Sequence, residues 1–182
     1  MIVSNSTVLI YLAKIGKHGL LKKLFKKILI PAEVFNEVVI RGKELQHFDA
    51  FIVERSVEEG WIEVRDIIAN EELEGFGIDL GEAQAISLAK ALGVPVLLDQ
   101  THARIAARAL GLKPRGTIFV LAAAMRKKLL TYEEYLDSLE GLVKTGFRMS
   151  DEVYLEAVRM GRNVDKIRFK EKKTERKRHG LE

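Results

Sequence analysis

Four acids stand where an α/β chain can do chemistry. Glu37 lies midway along a helix opened at Pro31. Asp79 and Glu82 open another helix three residues apart, and Asp99 closes the apolar run Val94 to Leu98. Oxygen-bearing residues accompany them: Asn5, Ser6 and Thr7 after a first apolar stretch, Gln100 and Thr101 after Asp99, and Glu33 one turn before Glu37. An oxygen-only set without His or Cys suits a hard cation such as Mg²⁺ or Mn²⁺. Beside a polyanion, such an ion promotes phosphodiester hydrolysis, because it acidifies bound water and offsets phosphate charge. Each residue also has a plainer role. Asp79 and Glu82 have capping-box spacing, Asp99 fits the N-cap of the following helix, and Glu37 fits a solvated edge of the face formed by Val34, Phe35, Val38 and Val39. Capping asks for no acid midway along the Pro31 helix, and that favours the chemical reading.

The elements that must position these residues follow from apolar spacing. Ile2-Val3, with Val8-Leu9-Ile10 behind it, begins as a short buried strand. Asn5-Ser6-Thr7 then caps a helix to about Ile15. Leu20, Leu21, Leu24 and Phe25 recur at helical spacing, and Lys27 to Ile30 reads as a second strand. Pro31 takes a first-turn helical position, with a stop at Gly42. A further helix covers about Leu45 to Glu58, and Trp61 to Val64 alternates like a strand. Asn70 to Gly81 is loop-like. A strong helix from about Leu80 to Leu92 stops at Gly93, and Val94 to Leu98 is a buried parallel strand. Helices follow near 101–110, 117–127, 131–144 and 150–160, with a short edge strand at 112–115. Short apolar strands alternating with helices predict an α/β fold with a mainly parallel sheet. In such a sheet ligands bind beyond the carboxyl ends of the strands, where Asn5 and Asp99 fall.

Composition narrows the classes. The 182 residues suit one domain with an appendage, and 47% hydrophobic content supplies a core. The absence of cysteine excludes a disulfide scaffold, a thiolate zinc site and a cysteine nucleophile, and fits a reducing, cytoplasmic compartment. The longest apolar run, Thr117 to Met125, is too short to span a bilayer, and no secretion signal is evident, so no membrane role is expected. The net charge of +4 is uneven: residues 162–182 carry +5 and the remainder −1. The domain is therefore expected over 1–161 and a basic tail over 162–182. That tail attracts RNA or DNA, or is simply a solvated, disordered end. Gly75-Phe76-Gly77 has the wrong spacing for a dinucleotide fingerprint, the four histidines are scattered, and no nucleophile elbow or phosphate loop occurs.

Five segments, taken together and in order, resemble the PIN-domain nucleases. Val3 to Ile10 (VSNSTVLI) is similar to the opening V-x-D-[ST]-[ST]-x-L-I, Ile30 to Val38 to I-P-x-x-V-x-x-E-V, and Asp79 to Ile86 to D-x-G-E-A-x-A-I. Leu97 to Arg104 resembles L-L-x-D-[DE]-x-x-A-R, and Leu110 to Thr117 the continuation G-L-x-x-x-G-T. The nearest subgroup is the prokaryotic PIN-like proteins related to toxin–antitoxin toxins. The resemblance implies a three-layer α/β/α fold and an Mg²⁺- or Mn²⁺-dependent ribonuclease. By it, Glu37, Glu82 and Asp99 hold metal, Asn5 supplies another ligand, and Asp79 partly compensates for lost charge. Position 5 is Asn where the family has Asp, and Gln100 stands where a second acid is common, which weakens the pull on a divalent ion.

The same resemblance implies that Thr7 or Thr117 orients water or phosphate. Lys14, Lys17, Arg104, Arg108 and Lys113 are the cations expected to steer the RNA strand. A cognate antitoxin and a homodimer are the partners it implies. The alternatives are a non-catalytic module that binds nucleic acid or an antitoxin through the same pocket, and a structural oligomer subunit.

Overall fold

In the computed structural model the described residues are 1–178, with side chains described to residue 167; residues 179–182, the end of the expected basic tail, lie outside them. The chain divides into two units, residues 1–120 and 121–182.

The first unit is built on four short strands, β1 (Ile2–Ser4), β2 (Ile28–Pro31), β3 (Ile62–Arg65) and β4 (Val96–Leu97). All pairings are parallel, in the order β3-β2-β1-β4, with Val3 opposite both Leu29 and Val96. The crossovers are helical, as parallel neighbours require. Between β1 and β2 lie α1 (Ser6–Lys14) and α2 (Gly19–Phe25). Between β2 and β3 lie α3 (Ala32–Phe35), a π-helical segment (Asn36–Ile40), α4 (Arg41–Glu44) and α5 (Phe48–Glu58). A 3-10 turn (Glu71–Leu73) and α6 (Leu80–Leu92) lead to β4, and α7 (Thr101–Ala109) and α8 (Thr117–Arg126) follow it. Val3, Leu29 and Leu98 pack with Ile86 and Ala89 of α6 and Ala103 and Ala106 of α7 in one core cluster. The alternating neighbours Ile2, Ile28 and Ile30 are equally buried and turn to the opposite face, on the side where α1 packs against α5. The unit is a three-layer α/β/α sandwich with an all-parallel sheet.

Several local expectations are corrected. The first strand ends at Ser4, and Val8 to Ile10 belong to α1, because the Asn5 side chain accepts the Val8 N–H and starts the helix. Pro31 closes β2 and is the N-cap of α3, with an extended ψ of 160°, so it is not a first-turn residue. Gly42 does not end its helix, which runs on to Glu44. A Cβ at Gly42 would stand 2.9 Å from the Ala50 Cβ, so this glycine permits the close approach of α4 to α5. The chain turns at Gln46, whose φ is +58°, and α5 begins only at Phe48. The expected edge strand at 112–115 contracts to one parallel bridge, Leu97 to Arg115: Arg115 N–H donates to Val96 O and Leu98 N–H to Arg115 O. Gly93 ends α6 in the left-handed conformation, as its position predicts.

The second unit holds α9 (Tyr132–Lys144) and α10 (Asp151–Arg178), the latter far longer than the expected 150–160. The basic sequence from Arg162 continues this helix as far as Arg178. A capping box opens α9, with Thr131 N–H donating to Glu134 and Glu134 N–H to Thr131 Oγ1. Tyr135 is fully buried and its hydroxyl donates to Ala157 O at 2.9 Å, which ties α9 to α10. Replacing Tyr135 by Phe is expected to cost about 1 kcal/mol in urea unfolding; an unchanged midpoint would contradict a stabilising role for that bond. Among the described residues no helix is long and apolar enough to cross a membrane.

Candidate active site

The site lies at the carboxyl edge of the sheet, where β1, β2 and β4 hand over to helices. Asn5, one residue past β1, is buried; its N–H donates to Leu97 O and its side chain caps α1. The next residue, Ser6, donates its hydroxyl to Glu37 Oε2. Glu37 is half-buried in the π-helical segment. The wider turn of a π segment changes the direction of side chains relative to α3, and here it carries the acid that meets Ser6 and α6. Gly81 makes that meeting possible: a Cβ there would stand 2.9 Å from Glu37 Oε1 and 3.0 Å from Oε2.

Asp79 and Glu82 form the capping box their spacing predicts. Asp79 Oδ1 accepts the Glu82 N–H at 2.7 Å, and the Asp79 N–H donates to Glu82 Oε2 at 3.3 Å. The box does not exhaust Glu82, whose carboxyl is buried. Burial, then the Asp79 charge, then that of Glu37, push its pKa up to about 7. The Glu37 carboxyl is raised too, by burial first and by Asp79 and Glu33 next, against the lowering effects of Ser6 and Arg41. Glu37, Asp79 and Glu82 therefore share one electrostatic neighbourhood. With its amide nitrogen turned toward α6, Gln100 donates to the Glu82 carboxylate, facing both Oε1 and Oε2.

Asp99 belongs to a separate arrangement at the end of β4. It does not cap α7, whose N-cap is Gln100. Its carboxylate instead accepts the Thr117 N–H at 2.8 Å and the Thr117 hydroxyl at 2.6 Å, at the start of α8. Burial raises its pKa, while Thr117 and then Arg104 oppose the rise. Thr117 is buried with its proton engaged by Asp99, so its hydroxyl is not aimed at water or phosphate. Thr7 lies half-buried in the first turn of α1.

The expected cations divide. Lys14 closes α1, about 12 Å along the axis from Ser6, and lies over the Tyr11 ring, with Lys17 just beyond. Both sit at the far end of the helix from the carboxylates. Arg104 donates to Leu98 O at 3.0 Å beside Asp99. Arg108 lies one turn further along α7 and Lys113 in the following loop, both exposed. Two cations went unread in the sequence. Arg41 stands one turn after Glu37 and pairs with Glu33 at 2.8 Å. Arg115 is brought beside Asp99 by the Leu97 bridge and lies over the Phe119 ring, 4.8 Å from its centre. The spacing of Glu33, Glu37 and Arg41 is a helical signal for the first; only tertiary pairing reveals the second.

A divalent ion fits this donor set in chemistry. Its oxygens are anionic and hard, and Glu37 and Glu82 are held near like charges whose repulsion a cation relieves. Among the described residues, no three His, Cys, Asp or Glu side chains already stand close enough to hold an ion. Asp99 is engaged with Thr117, and Gln100 covers Glu82.

Comparison with known proteins agrees with the fold. No curated protein and no solved structure matches the chain significantly. A family model described as PIN domain matches residues 1–162, nearly all of the described chain. The parallel sheet, the acids at its carboxyl edge and this match lead to one assignment: the chain belongs to the PIN-domain family.

Proposed function

We propose that the protein is a metal-dependent endoribonuclease, with Glu37, Glu82 and Asp99 as ligands of Mg²⁺ or Mn²⁺ and Asn5 and Asp79 as supporting ones. The observation that carries this reading is the crowding of Glu37 and Glu82 around Asp79 at the carboxyl edge of the sheet, with both carboxyl pKa values raised. The ion, when bound, supplies an acidified water and neutralises phosphate charge. The chain's own groups do the positioning. Ser6 fixes one oxygen of Glu37, Gly81 leaves room for its carboxylate, and the Asp79 N–H orients Glu82 Oε2. A Glu82 carboxyl with a pKa of about 7 can also accept or release a proton near neutrality. Thr7, at the start of α1, is the better placed of the two threonines to orient water or phosphate. A toxin role with a cognate antitoxin, a homodimer and a cytoplasmic location belong to the same proposal and rest on the resemblance.

The binding-module reading is favoured by one feature: the Gln100 amide on Glu82 and the Thr117 bonds to Asp99 hold two of the acids away from an ion. One assay separates the readings. Single-stranded RNA with Mn²⁺ is expected to be cleaved, EDTA to abolish cleavage, and Glu82→Ala to remove it. Asn5→Asp is expected to raise the rate by roughly tenfold, the effect of one more nearby carboxylate on ion occupancy. No cleavage by either wild type or Asn5→Asp would leave RNA or antitoxin binding as the function.

A further inference from the structure

Among the described residues, Lys22, Lys27, Arg41, Lys43, Arg55, Arg65 and Lys144 each sit within ion-pair distance of a glutamate. Arg108 and Arg115 do not pair with any acid among the described residues, although both are exposed. The fold nevertheless places both around Arg104: Arg108 stands one turn further along α7, and a Cβ at Gly116, the residue after Arg115, would stand 3.2 Å from Arg104 Nη1. Arg104 accordingly has both as repulsive neighbours, with Asp99 as the opposing charge. Arg104 itself is turned inward to Leu98 O. The Arg115 guanidinium lies over the Phe119 ring, 4.8 Å from its centre, and this contact restrains an exposed side chain. A guanidinium restrained in this way carries paired N–H donors whose spacing matches the oxygens of a phosphodiester. The location is also specific, because Arg115 immediately precedes the Gly116-Thr117 turn bonded to Asp99.

We infer that Arg115, seated on Phe119, and Arg108 form a phosphate-binding shelf that holds the backbone of a single RNA strand beside Asp99, while Arg104 is a positioning residue within the fold. The inference rests on the ribonuclease reading for the identity of the polyanion. It shifts strand binding away from Lys14 and Lys17 at the other end of α1. Arg108 and Arg115 are like charges with no ion-pair partner among the described residues, so a polyanion relieves their repulsion on binding.

The test is binding of a fluorescein-labelled single-stranded RNA 12-mer to the full chain in EDTA, by anisotropy across a salt series. A poly-glutamate peptide of equal length runs in parallel. The double variant Arg108→Gln/Arg115→Gln is expected to lower the salt slope of log K by about 1.4, from ~0.7 per phosphate contact on a single strand. RNA affinity at low salt is expected to fall at least tenfold, with the melting temperature unchanged or raised as repulsion is removed. Lys22→Gln is expected to leave the slope unaltered. An unchanged slope, a loss of affinity only alongside a lower melting temperature, or a loss confined to poly-glutamate would each overturn the shelf. Wild-type cleavage of RNA with an unchanged slope in the double variant would sink the shelf and leave the nuclease reading standing. A fallen slope without cleavage by wild type would do the reverse.

Discussion

Glu82→Gln is expected to make the metal-free protein more stable at pH 8 while reducing RNA cleavage below about one hundredth of wild type. The carboxyl titrates near 4.5 when the chain is unfolded and at about 7 when folded, chiefly because it is buried and next because Asp79 stands beside it. Between those two values the folded state binds more protons. Stability therefore falls as pH rises from 4.5 to 7, and the loss is complete above that window. Glutamine keeps the shape and an acceptor for the Asp79 N–H but carries no charge. The expected gain is roughly 2 to 3 kcal/mol at pH 8 and close to nothing at pH 4. Urea unfolding in EDTA at the two pH values reads it. A variant less stable than wild type at pH 8 would mean that Gln100 and the capping box already satisfy an ionised Glu82. A residue whose removal stabilises the fold and ends the activity has the mark of a functional group held under strain.

Gly116→Ala is expected to be among the most destabilising single-methyl changes in the chain, at about 2 to 3 kcal/mol. Its Cβ would stand 2.5 Å from Asp99 Oδ1, with Arg104 Nη1 and the Leu98 carbonyl oxygen each at 3.2 Å. Asp99 is a short side chain held by two bonds to Thr117, so it cannot yield without breaking one of them. Thermal unfolding of the single variant and of Gly116→Ala/Asp99→Ala checks the cause. Removing the carboxylate makes room for the methyl, so the double variant is expected to lose much less than the sum of the two single losses. Additive losses would locate the strain elsewhere.

The layered fold was legible because its signals are local. The apolar runs at Ile28 and Val96, the Gly93 stop and the Asp79–Glu82 box each depend on residues adjacent in sequence. Glu37 was legible as an acid out of place on a helix, but the π-helical segment that carries it leaves no such trace, since it is fixed by contacts to α1, α5 and Gly81. Asp99 was visible as a residue at a strand end, yet its partner Thr117 lies eighteen positions away, and its plainer reading as the N-cap of the following helix is not the role it takes. Gly42 misled for a related reason. A glycine that lets two helices touch looks, in sequence, like a glycine that stops one. The Arg115 shelf was hidden because a single bridge to Leu97 brings it to the site.

The central claim is that Glu37 and Glu82 share a divalent cation. An anomalous difference map from crystals soaked in Mn²⁺ tests it without reference to any substrate. The expected result is a peak within about 2.4 Å of an oxygen from each of these two carboxylates, with Gln100 swung off Glu82 and the peak missing in Glu82→Gln crystals. A map with no density between the two acids at millimolar Mn²⁺, or with a peak that persists unchanged in Glu82→Gln, would contradict it.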